Sequence, residues 1–298
     1  MEDKVKILDL DFVFISYKEP NCEENYADLL NKVPWAKRVH GVEGFDSAHK
    51  AAAKIAETDF FISVDGDNII NESFLLQTLD WSKTNPKHVH RWRAQNNING
   101  LIYGNGGLVG WHKETCAVMK THENATADDN KGQVDFCWSV PHANLHNCYS
   151  TTVINTTPQQ AFVAGYREGV KMSLNRGKIV DPANFKQIID LRNIKKLVTW
   201  MSIGADIENG NYAMLGTRVG LYLTTLQNQD VLNIRNLDNL SELFVDYTDN
   251  VDKDLLAHGE SIRQRLGLHV ADYNSEQSSF FKFCQPHHIN RGVQDLEN

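Results

Sequence analysis

Asp65-Gly66-Asp67 sets two carboxylates one residue apart. They follow directly on Phe60-Phe61-Ile62-Ser63-Val64, an apolar run with the length and composition of a buried strand. Alternation along such a strand points both aspartates the same way, and the glycine between them lets the chain turn closely around a ligand. Two neighbouring carboxylates repel unless a cation lies between them. A hard divalent ion answers that repulsion, because Mg²⁺ or Mn²⁺ takes oxygen ligands and leaves positions open for phosphates. A solvated acidic turn is the plain alternative, and the position at the exit of a strand favours the ligand-binding reading.

Other residues qualify as partners of such a centre. Twelve histidines include His142, His146, His287 and His288, any of which has a ring nitrogen to offer a metal. Lys87 to Arg93 (KHVHRWR) places three fixed positive charges around Trp92, a pattern suited to phosphates and a stacked base, or else a solvated basic loop with Trp92 in the core. Arg192, Lys195 and Lys196 form a second basic patch, and Arg167 with Glu168 makes either an acceptor or phosphate contact or a surface pair.

The elements that must position these groups alternate between strands and helices. Asp11 to Ser16 (DFVFIS) reads as a buried strand, Glu23 to Asn31 as a short helix, and Ala36 to Val42 as a second strand. Ser47 to Thr58 is alanine-rich and helical, with Ser47 as its N-cap, and leads into the strand before Asp65. Ser73 to Leu79 reads as a helix, and Tyr103-Gly104-Asn105-Gly106-Gly107 as a glycine-rich turn. Gln159 to Leu174 reads as a helix, and from residue 176 helical patterns dominate. Gly216 and Gly220 lie four apart, which allows close approach of another helix.

The 298 residues carry 30 basic and 38 acidic side chains, a net charge of −8, which disfavours bulk coating by nucleic acid. With 41% of residues hydrophobic there is enough material for a core. The charged start Met1-Glu2-Asp3-Lys4 lacks an apolar leader, and no run approaches eighteen apolar residues. Five cysteines without a CxxC pair read as reduced thiols. These features lead us to expect a cytoplasmic protein (host cytoplasm if the source is viral) without a membrane partner.

The segment Phe60 to Asn68 (FFISVDGDN) resembles the DxD motif of GT-A fold nucleotide-sugar glycosyltransferases. The Tyr103 to Gly107 loop and the stretch from Thr157 to Lys171 strengthen the resemblance, and the combination is similar to bacteriophage enzymes that decorate modified DNA bases. It covers residues 8–175. It implies an α/β, Rossmann-like, mixed but mostly parallel central sheet, with a catalytic domain over 1–175 and a helical extension and tail over 176–298 that handles acceptor. It implies a UDP-sugar donor and Mn²⁺ or Mg²⁺ bound by Asp65, Asp67 and a late histidine, His288. Ser16 would border the nucleotide, and Lys50, Arg167, Gly106 and Gly107 would line the donor. Many inverting members carry a Glu-Asp pair whose Asp is the general base. Here Val134-Asp135 is the nearest equivalent, with Asp129 and Asp128 as competitors.

The resemblance therefore implies metal-dependent sugar transfer to an acceptor hydroxyl, with a hydroxymethylated base in phage DNA as one acceptor. A metal-dependent nucleotidyltransferase uses the same paired carboxylates but transfers a nucleoside monophosphate. A non-enzymatic carbohydrate- or nucleic-acid-binding module would bind its ligand without needing Asp65 or Asp67.

Overall fold

The computed structural model describes residues 4–121, 139–230, 237–247 and 249–284. The chain divides into two compact units: residues 4–96 with 102–153, and residues 97–101 with 154–284.

The first unit is built on β1 (Lys4–Lys6), β2 (Asp11–Ser16), β3 (Lys37–His40), β4 (Phe60–Asp65), β5 (Asn68–Ile70), β6 (Thr78–Asp80), β7 (Val89–Asn96), β8 (Ile102–His112) and β9 (His142–Thr152). Three helices accompany them: α1 (Cys22–Lys32), α2 (Phe45–Ile55) and α3 (Lys113–Val118). The main sheet has the order β3-β2-β4-β8-β7-β9-β5, and β1 pairs with β6 separately. β2 is buried along its whole length because alternate residues feed two cores. Phe12 and Phe14 join Ile62, Phe74 and Trp92, while Val13 and Ile15 join Ala52, Phe61 and Trp111. This explains a continuous apolar run in place of an alternating one.

The sheet corrects the mostly parallel GT-A expectation. The β2–β3, β2–β4 and β7–β9 pairings are parallel, but β1–β6, β4–β8, β7–β8 and β5–β9 are antiparallel, four against three. Nor is the sheet open and flat. β5 begins three residues after the end of β4 yet pairs with β9, so that it stands four places from β4 in the strand order. Four inter-strand steps span ~19 Å in a flat sheet, and the chain from Asp65 to Asn68 reaches at most ~11 Å. The sheet must therefore curl so that β5 lies back towards β4. The antiparallel strands were hidden in sequence because they are polar or glycine-rich. The KHVHRWR segment runs into β7, whose burial alternates residue by residue, and the supposed glycine turn at 104–107 lies inside the eleven residues of β8. Ser73 to Leu79 is likewise not a helix, since a 3-10 turn at Glu72–Phe74 is followed by β6. The alanine-rich helix begins earlier than Ser47, with Gly44 at its N-cap.

The second unit is helical: α4 (Pro158–Met172), α5 (Phe185–Ile188), α6 (Leu191–Ser202), α7 (Gly210–Leu221), α8 (Leu237–Val245), α9 (Val251–Leu266) and α10 (Ser275–Phe283). Thr157 caps α4 through its side chain, with Pro158 at the first helical position. α4 and α7 cross at contact of their backbones. A Cβ on Gly165 would lie 2.0 Å from the Ala213 carbonyl oxygen, and one on Gly216 would lie 2.1 Å from that of Phe162. Gly169 and Gly220 complete the same seam, against Thr217 and Tyr166. The buried Arg218 guanidinium ties this unit together, donating to the Met201, Leu255 and Ala271 carbonyls and to the Asp272 carboxylate at 2.6 Å.

Candidate functional site

Three parallel strands end together in the first unit. The register sets Ile15 beside Asp65 and Ser16 beside His40, so Ser16, His40 and Asp65 share the C-terminal end of β2, β3 and β4. In sheets with parallel strands this edge is where ligands bind.

The Asp65-Gly66-Asp67 turn is held in place by its backbone. Asn25 Nδ2 donates to the Gly66 carbonyl at 2.9 Å, and the Val153 amide donates to the Asp67 carbonyl at 2.7 Å. Asn68 Nδ2 donates to Asp67 Oδ1 at 2.6 Å, while Thr152 donates to Asn68 Oδ1. Gly66 lies against the loop after β2: a Cβ there would be 2.7 Å from Glu19 Oε2 and 3.0 Å from Ser16 Cβ. The same Glu19 oxygen accepts from the Tyr17 amide at 2.7 Å. Asp65 and Asp67 are half-buried and Gly66 and Asn68 buried, the alternation the sequence implied.

Gly107 reaches the same place, since a Cβ there would be 2.0 Å from Asn68 Nδ2. Gly106 has φ +85° with open space around it, so its requirement is conformational. Lys50 sits on α2, paired with Asp46 at 2.5 Å. Arg167 is half-buried on α4 in the helical unit. Asp128, Asp129, Asp135, His287 and His288 lie outside the described residues. Trp92 is fully buried against Phe74, so it packs the core and presents no face for stacking on a base. The neighbouring Arg91 donates to Asn144 Oδ1, and Arg93 lies 2.5 Å from His146 Nδ1.

Sequence reasoning missed the polar cluster beside Ser16. Arg38 on β3 donates through both terminal nitrogens to Glu23 on α1 and through Nε to Ser16 Oγ at 3.1 Å. Its guanidinium also lies over the Tyr26 ring, 4.9 Å from the centroid. His40 Nδ1 is 2.9 Å from Ser16 Oγ and 3.1 Å from Arg38 Nη2. Arg38 has no lone pair to accept with, so Nδ1 is the acceptor and the ring proton is on Nε2. Arg38 holds the Glu23 carboxyl below its ordinary range, and Glu23 in turn raises the guanidinium. Burial and the Glu19 carboxylate push the Cys22 thiol up. The Cys22 sulfur, a Glu23 oxygen and a His40 nitrogen lie within 4.8 Å of one another, a small cluster with metal-coordinating chemistry. The signal available in sequence was position: strands parallel to one that ends in chemistry end beside it.

The two donor sets differ in kind. Asp65 and Asp67 offer only carboxylate oxygens, which suits Mg²⁺ or Mn²⁺, whereas a thiol and an imidazole suit softer ions. Among the described residues, Cys22, Cys116, Cys148 and Cys284 are free thiols, and no helix is long and apolar enough to cross a membrane.

No family model matches the sequence, and no curated protein matches it. Among solved structures, the chain is similar to one described as the crystal structure of a glycosyltransferase involved in the glycosylation of the major capsid of PBCV-1. The match is 15% identical, covers 36% of this chain and 62% of that one, and has a TM-score of 0.24. The chain thus has a weak structural resemblance to a glycosyltransferase over about a third of its length.

Proposed function

We propose that this protein is a metal-dependent glycosyltransferase that moves a sugar from a UDP-sugar to an acceptor hydroxyl. The reading rests on one observation: a buried strand delivers Asp65 and Asp67 to the C-terminal edge of three parallel strands, on a turn fixed by Asn25, Asn68 and Val153. Asp65 and Asp67 would hold Mn²⁺ or Mg²⁺, with His288 as a further ligand. When bound, the ion would stabilise charge developing on the leaving diphosphate. Ser16 borders the nucleotide, Gly106 and Gly107 let the donor approach the backbone, and Lys50 contacts phosphate. Asp135 or Asp129 takes the proton from the attacking hydroxyl. The helical unit serves acceptor handling, and a hydroxymethylated DNA base is the acceptor to try first.

The test is to incubate the protein with Mn²⁺ and a panel of nucleotide sugars and measure nucleoside diphosphate, since donor hydrolysis reveals the donor before the acceptor is known. Release that depends on Asp67 supports the reading. Nucleoside-monophosphate transfer would point to a nucleotidyltransferase instead, and donor binding indifferent to Asp65 and Asp67 would point to a binding module. Transfer to hydroxymethylated DNA, compared with unmodified DNA, decides the acceptor.

A further inference from the structure

Three electron-pair donors from two different elements converge on one nitrogen. Arg38 Nη2 lies 2.6 Å from Glu23 Oε1, 3.1 Å from His40 Nδ1 and 3.6 Å from Cys22 Sγ. The guanidinium is the positive charge that this triplet encloses. A thiol, an imidazole and a carboxylate also form the mixed S, N, O set that Zn²⁺ accepts, with water in the fourth position. We propose that Cys22, Glu23 and His40 form a zinc-type metal site for which Arg38 is the resident competitor.

The geometry needs only small adjustments. In a tetrahedral zinc centre the ligand atoms are about 3.3–3.8 Å apart, and here all three lie within 4.8 Å. Glu23 and His40 are exposed and close in by exchanging their contacts with Arg38 and Ser16 for the metal, while Cys22 is buried at the start of α1. Binding breaks the Arg38–Glu23 ion pair and displaces the guanidinium. The thiol proton, which burial and the Glu19 carboxylate hold on the sulfur, leaves to solvent as the metal–sulfur bond forms. The sulfur and nitrogen donors separate this site from the all-oxygen Asp65–Asp67 turn, so it does not rest on the glycosyltransferase reading.

Cobalt titration of the full chain tests it, because Co²⁺ bound to a thiolate gives a near-ultraviolet charge-transfer band. The expected result is a band that saturates at one ion per chain, is removed by Zn²⁺, persists in Asp67→Ala and disappears in Cys22→Ser. His40→Gln, a change at an exposed position, should weaken binding. Arg38→Gln should tighten it by on the order of tenfold, because a competing unit charge is removed from contact range. Circular dichroism confirms that each variant is folded. A wild-type protein without the band, a band that survives Cys22→Ser, or an Arg38→Gln variant that binds no more tightly would each overturn the proposal.

Discussion

The strand ends around Asp65 and the α4–α7 crossing both depend on glycine, but what lies opposite each glycine differs. At Gly66 the neighbours nearer than 3.0 Å are the end of the Glu19 side chain, which can shift at the cost of its bond from the Tyr17 amide, with Ser16 Cβ at 3.0 Å behind it. At Gly165 and Gly216 the neighbours are carbonyl oxygens of another helix, which cannot move without shifting that helix. The helical seam spends its small residues on stability. The strand-end turn instead holds two carboxylates half-exposed. Substitutions should therefore separate the two: changes in the helical seam cost stability, and changes at the turn cost activity.

The largest expected effect is at Arg218, which is fully buried and carries the charge of its pair with Asp272. Arg218→Met should destabilise the protein by about 3–5 kcal/mol, because it strips the charged donor from three carbonyls and leaves Asp272 with Arg263 alone; urea unfolding measures it. The buried ionisable counterpart in the sheet unit is His90, kept neutral. Its Nδ1 lies 2.9 Å from the His88 carbonyl and its Nε2 2.9 Å from Thr84 Oγ1. Burial depresses its pKa from 6.5 to about 4. A group depressed on folding contributes fully above its unfolded value. Stability should thus be lost as pH falls through 6.5 towards 4, by about 3 kcal/mol at the limit. The acid-side slope should flatten in His90→Gln, read by denaturation at stepped pH.

On the proposed function, Asp67→Ala should lower nucleoside-diphosphate release by about 100-fold or more while costing only about 1 kcal/mol of stability through the lost Asn68 hydrogen bond. A comparable loss of stability would break the contrast between the two regions. Gly216→Ala should cost about 1–3 kcal/mol by overpacking the α4–α7 seam. Gly66→Ala, the same chemical change, should cost under ~1 kcal/mol. Finding the two alanine variants equally destabilised in thermal melts would remove the distinction.

Legibility followed hydrophobicity. DFVFIS and FFISV are apolar throughout because both faces of the central strands are covered, so β2 and β4 and the carboxylates after them were plain in sequence. β7 and β8 were not. One carries His90, Arg91 and Arg93, the other four glycines, and each is fixed in the sheet by a partner distant in the chain, β9 for β7 and β4 for β8. The cluster of Cys22, Glu23, Arg38 and His40 was equally invisible, since an eleven-residue helix and a loop separate its halves. Trp92 was open to two readings in sequence, stacked on a base or placed in the core, and packing against Phe74 decides for the core.

What the sequence determined by itself was local: which runs are apolar enough to be buried, where Asp65 and Asp67 leave such a run, and that Gly216 and Gly220 line one helical face. These follow from side-chain chemistry and from periods of two and four residues. Only the tertiary structure decided the direction of the strands, the curl that lies behind the Gly66 turn, and the meeting of Arg38 with Cys22, Glu23 and His40. Strand direction and side-chain convergence are set by which distant segments pair, a choice made by the summed burial of the whole sheet and not encoded at any one position.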